Sequence, residues 1–88
     1  MKAVAGTGVL LCGRSVVQVG YDLVQCAGHG RNTAEGQVFG EAGAIRQAFL
    51  SGLCGLRLEG GQVTDVVLLN CHDNGAADVA VMGLMRWD

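Results

Sequence analysis

Residues 53–71 read Leu-Cys-Gly-Leu-Arg-Leu-Glu-Gly-Gly-Gln-Val-Thr-Asp-Val-Val-Leu-Leu-Asn-Cys, and the fold turns on how this stretch pairs with itself. Cys54, Leu56 and Leu58 alternate with Gly55, Arg57 and Glu59, the period of a strand with one buried face. Gly60 and Gly61 follow, and two adjacent glycines can both take positive φ, as a two-residue hairpin turn requires. A second strand, 62–70, then returns along the first. Such a turn sets Leu58 opposite Val63 but also Leu56 opposite Asp65. A bulge near Thr64 and Asp65 would relieve the mismatch by turning Val66 and Leu68 inward. Without it, Val67 and Leu69 are the inward pair. Both faces of 66–69 are apolar in either register, so this strand is expected to be covered on both sides.

Working outward, 7–12 reads as a first strand and 16–26 as a second, longer one. Val17, Val19, Tyr21 and Leu23 share one face of the second strand, and Gln18 and Asp22 on the other face need water, so the Tyr21 face is the core. Gly20 inside that strand predicts a bulge or tight bend. A polar, glycine-rich loop at 27–34 leads to a third strand, 35–40. In 41–51, Ala42, Ile45, Ala48 and Phe49 fall at helical spacing, with Glu41, Arg46, Gln47 and Ser51 toward solvent and Gly52 as the cap that ends the helix. Gly43 weakens the helix and keeps a strand open as the alternative. His72-Asp73-Asn74-Gly75 is a turn, and 77–84 is the last strand, with Ala77, Val79 and Val81 inward. The order implies a mainly β, single-domain chain (1–88) forming a closed or nearly closed antiparallel barrel of about six strands, with one short helix between strands three and four. Closure would also remove sheet edges that so few charges could not protect.

Only 16% of the 88 residues are charged, against roughly 25% in an average soluble domain, while half are apolar. The high apolar share excludes disorder, and the shortage of charge implies apolar outer surface of the kind that ends in a subunit contact. The residues expected to supply it are Val16 and Val24 on strand two, Ala80 and Met82 on the last strand, one face of 66–69, and Trp87 near the end of the chain. A net charge of −2 and six scattered Lys and Arg residues give no electrostatic footprint for nucleic acid. The aromatic residues agree. Tyr21 reads as core, Phe39 and Phe49 as core or helix face, and Trp87 alone is free to stack.

Cys12, Cys54 and Cys71 sit in or beside apolar strand patterns, where a reduced cysteine behaves as a small hydrophobe. This favours free thiols over a disulfide framework. The apolar run after Met1-Lys2 is broken by Gly6 and Gly8 and precedes no small-residue cleavage site, and Leu11 occupies a position where a lipoprotein box needs a small residue. A cytoplasmic, reducing location is the expectation.

Three constellations could carry chemistry. Cys26, His29, Cys71 and His72 supply two thiols and two imidazoles, a complete tetrahedral zinc set, although Cys71 and His72 point to opposite faces while the chain remains extended. A small ligand or reaction site could form at a mouth shared by the 27–34 and 72–76 loops, from His29, Arg31, Asn32, His72 and Asp73. Cys71-His72-Asp73 has the composition of a nucleophile, base and orienter, but three adjacent residues rarely converge side chain to side chain. No catalytic residue and no cofactor is assigned. Gly6-Thr7-Gly8 precedes a strand and lacks a following Gly-Lys, so it is not a phosphate loop.

The motifs Gly6-x-Gly8-x-Leu10, Val19-x-Tyr21-x-Leu23, Gly36-x-Val38-x-Gly40, Leu56-x-Leu58-Glu59-Gly60-Gly61-x-Val63 and Gly75-Ala76-Ala77-x-Val79-x-Val81-x-Gly83 span most of the chain. Together they resemble a loose group of small bacterial β-barrel proteins of unknown function found on mobile DNA, including integron gene cassettes. The resemblance implies a barrel and brings no activity with it. The functional expectation is a non-enzymatic binding module acting as a homo-oligomer, a dimer first. A small-ligand or enzymatic site and a zinc site stand as the alternatives.

Overall fold

The computed structural model describes residues 3–25 and 34–82. Among these residues six strands, β1 (Ala3–Cys12), β2 (Ser15–Gln25), β3 (Ala34–Phe39), β4 (Leu53–Arg57), β5 (Val63–Cys71) and β6 (Ala76–Val81), close into an antiparallel barrel in the order β1-β2-β3-β6-β5-β4. One helix, α1 (Ala42–Ser51), lies between β3 and β4 as the helical spacing requires. Alternation along every strand sends one set of side chains inward. Leu10, Leu23, Val38, Leu56, Val66 and Val79 are fully buried in the interior, and Val19 and Tyr21 join them.

The helix covers one end of the barrel. Ile45 and Ala48 are buried where α1 packs against β1, β2, β5 and β6. Glu41 faces solvent as expected and is also the N-cap of the helix. Its carboxylate accepts the Gly43 and Ala44 amides at 3.0 and 2.7 Å, two donors that the helix leaves without intrahelical partners. Gly52 at φ +84° ends it, its amide donating to the Phe49 carbonyl. The 72–75 turn sits at this same end, where the Gly40 amide donates to the Gly75 carbonyl at 2.8 Å.

The register of the β4–β5 hairpin differs from both expected ones. Leu58 donates its amide to the Gln62 carbonyl at 2.7 Å, and the Gly61 amide donates to the Leu58 carbonyl at 2.9 Å. The loop is therefore three residues, with only Gly61 at positive φ (+96°), the pattern of a type I turn completed by a glycine bulge. One extra loop residue moves every pairing by one step. Arg57 faces Val63, Leu56 faces Thr64 and Cys54 faces Val66, so Val66 and Leu68 turn inward with no bulge at Thr64 or Asp65. The irregularity falls instead between β5 and β6, where Leu68 pairs with Val79 and Asn70 with Asp78, leaving Leu69 as the extra residue.

Two further differences follow from local packing. Registers run unbroken through Gly20, so it makes no bulge. A Cβ there would lie 2.9 Å from the Phe39 ring, which occupies the space and stands on the outer wall rather than in the core. Gly8 permits the tight β1–β4 seam, because any Cβ would collide with the Arg57 carbonyl oxygen. That seam holds three paired positions, Val9–Arg57 to Leu11–Gly55, where the β1–β2 pairing holds ten.

Candidate functional site

The hairpin register decides what the barrel shows to its surroundings. With Val66 and Leu68 inward, Val67 and Leu69 face out. Leu53, Val67 and Ala80 stand side by side in one row across β4, β5 and β6. Leu69 at the bulge and Met82 just past β6 border this row, and Leu50 is exposed on the last turn of α1. The exposures of Leu69 and Met82, 58% and 60%, with Leu53 at 60%, make this wall bare rather than covered. The Met82 amide donates to the Asp65 carbonyl at 2.8 Å and fixes that end of the patch to β5. Scattered apolar residues on a surface are ordinary, whereas a row of neighbours on three adjacent strands makes one contiguous apolar patch.

The residues expected to form an interface divide. Met82 and the half-buried Ala80 belong to this wall. Val16 is exposed but lies at the start of β2, separated from Met82 by the row Leu11, Gly55 and Asp65. Val24 is exposed and faces Glu35, which interposes a charge between it and Ala80. Trp87 lies outside the described residues. Val67 and Leu69 are the outward face of 66–69 that the sequence expectation includes, and Leu50 and Leu53 are absent from it. The signal for Leu53 was present in the alternation that put Cys54 and Leu56 inside, while Leu69 depends on the loop length.

A polar row occupies a different part of the outer wall. Asp22, Gln37 and Asp78 are adjacent across β2, β3 and β6. Gln37 Nε2 donates to Asp78 Oδ1 at 3.0 Å, and His72 Nε2 lies 3.4 Å from Asp78 Oδ2, at ion-pair distance but outside hydrogen-bond geometry. The Gln37 amide first, and His72 with it, holds the Asp78 carboxyl below its ordinary range. This carboxylate is occupied by its neighbours. Asp73, fully exposed, reaches Arg46 on α1 at 3.6 Å, an exposed pair of the kind that contributes little.

His72 and Asp73 thus diverge, one toward β6 and the other toward α1. Cys71 is half-buried with its thiol toward the His72 carbonyl at 3.9 Å, while the imidazole lies over Asp78. Cys26, His29, Arg31 and Asn32 fall outside the described residues. The chain leaves for that segment at Gln25 and returns at Ala34. Both anchors lie at the end of the barrel opposite the 72–75 turn, because Glu35 pairs with Ala80 while Phe39 pairs with Ala76. Among the described residues no three His, Cys, Asp or Glu side chains gather as a metal site, and no helix is long and apolar enough to cross a membrane.

Comparison of the chain with protein-family models, with curated proteins and with solved structures finds no match.

Proposed function

We propose that the chain is a non-enzymatic binding module that acts as a homo-oligomer, a dimer first, through the outer wall of β4, β5 and β6. The observation that supports this is the contiguous row Leu53, Val67 and Ala80, bordered by Leu69 and Met82. Closure gives every strand a partner on both sides over at least part of its length, β1 meeting β4 over Val9–Leu11, and the proposed association goes through side chains, wall against wall. A second copy is the occupant that fits best, since the row itself is apolar. The charges beside it, Asp65 and Glu35, are both acidic and would face like charges only at the rim. An isologous contact asks only that an apolar patch match itself. The bare leucines and methionine are side chains that repack readily against a like surface.

Sedimentation equilibrium from the micromolar to the millimolar range tests the reading. A mass rising toward twice that of the chain supports it. A constant single-chain mass throughout, with no binding of a hydrophobic dye, would sink it.

A further inference from the structure

Beyond the outer wall, and independently of it, the barrel brings two thiols together at its narrowest seam. The β1–β4 pairing ends at Leu11 opposite Gly55, and the next rung in the same register places Cys12 opposite Cys54. Both side chains point inward, both are almost wholly buried, and both are free thiols. Residues directly opposite on antiparallel strands have Cα atoms about 4.5 to 5.5 Å apart, inside the span a disulfide bridges. Cys54 lies close enough to Cys12 to add to the effect of burial in raising its thiol, and the Cys54 thiol reaches the Ala48 carbonyl of α1 at 3.7 Å. The two are equally buried, at 3% exposure each, and Cys12 borders open space. It lines a groove of about 380 Å³ between α1, at Ala44, Gln47, Ala48 and Ser51, and the start of β2.

We infer that Cys12 and Cys54 form a site of reversible oxidative modification, closing to an intrachain disulfide with hydrogen peroxide as the two-electron oxidant. Burial first, and the neighbouring Cys54 with it, pushes the Cys12 thiol up to about 12. The reaction is therefore slow and quickens at alkaline pH: Cys12 loses its proton to solvent and its thiolate attacks one peroxide oxygen. The O–O bond breaks, a sulfenic acid forms, and the departing hydroxide takes a proton to leave as water. The Cys54 sulfur then attacks the sulfenic sulfur. The S–O bond breaks, the S–S bond forms, and the Cys54 proton leaves with hydroxide as a second water. Two thiols and one peroxide thus give one disulfide and two waters. The bond would join β1 to β4 where their ladder is shortest, and a dithiol would reverse it.

Trypsin separates all four cysteines, because Cys12, Cys26, Cys54 and Cys71 fall in the fragments 3–14, 15–31, 47–57 and 58–86. The full chain is treated with hydrogen peroxide, denatured in excess alkylating agent, digested without reductant and mapped by mass spectrometry. The expected product is fragment 3–14 linked to 47–57, from a single chain two hydrogens lighter than before. Its thermal midpoint should lie roughly 10 °C higher, and the gain should disappear with dithiothreitol. The Cys71→Ala variant should give the same linked pair, and Cys54→Ser should give none. Recovery of Cys12 and Cys54 as alkylated thiols, their conversion to sulfonic acids without linkage, or linkage of either to Cys26 or Cys71 would overturn the inference.

Discussion

The Tyr21 hydroxyl accepts the backbone amide of Glu59 at 2.9 Å, so a side chain from the middle of β2 holds the loop between β4 and β5. The ring is buried and lies over Gly6 and Gly8 of β1, where a side chain on either glycine would crowd it. Tyr21→Phe keeps the ring and removes the acceptor. The expected cost is about 1 kcal/mol, with up to about 2 if the Glu59 amide finds no water in exchange. Urea unfolding of the two proteins checks it, and an unchanged midpoint would mean that the loop holds itself.

The same loop separates its two glycines. Gly61 alone has positive φ, so Gly61→Ala should cost about 1 to 2 kcal/mol, while Gly60→Ala should stay within about 0.5 kcal/mol of the parent. A two-residue turn would need both glycines and would penalise both changes alike. Comparing the two midpoints therefore reads the loop length directly.

Thr64 is buried opposite Leu56, and its hydroxyl has no hydrogen-bond partner. Thr64→Val removes a desolvated polar atom and keeps the branched shape. Stability should rise by up to about 1 kcal/mol. A loss of similar size would reveal a partner for the hydroxyl, such as an ordered water.

Two carboxylates contribute stability that acid removes. The Gly43 and Ala44 amides hold the Glu41 carboxyl below its ordinary value of 4.5, and Gln37 with His72 does the same for Asp78. Because both folded-state values are depressed, their contributions are complete above the unfolded values, near pH 5. They fade as pH falls through the folded ones. Glu41→Ala should lower the thermal midpoint at neutral pH and leave it unchanged at pH values where the carboxyl is already protonated. A midpoint difference that persists in strong acid would assign the loss to something other than the charged cap.

Leu53→Lys and Leu69→Lys place charge on the apolar wall without touching the interior. Each should weaken self-association at least tenfold, about 1.4 kcal/mol, with the unfolding midpoint of the single chain nearly unchanged. Val16→Lys lies off the wall and should leave the association constant alone. Equal effects from all three would indicate diffuse stickiness in place of one face.

The barrel was legible because its information is periodic. Tyr21, Val19 and Leu23 declared the inner face of β2 through the polarity of Gln18 and Asp22, and Ile45 with Ala48 declared the helix. What alternation cannot supply is phase. Gly60-Gly61 suits a two-residue and a three-residue loop equally well, and the choice between them decides whether Leu69 points in or out. Phe39 was misplaced for a related reason, since a glycine on the neighbouring strand makes an outward niche that no single-strand pattern reveals. The candidate surface inherited both limits. Met82 and Ala80 were found from their own strand, but the row they share with Val67 and Leu53 exists only once three strands are in register.

The three-rung β1–β4 junction has a further consequence for how this molecule would fail. A ring of hydrogen-bonded chains is only as durable as its briefest link, and rupture there would unroll the wall into a ribbon with two raw borders. Each border would offer unsatisfied amides and carbonyls to the next opened molecule. Damage at that point would therefore show itself as fibrous or amorphous deposits well before bulk melting, and variants that shorten the link should precipitate at temperatures where the parent stays clear.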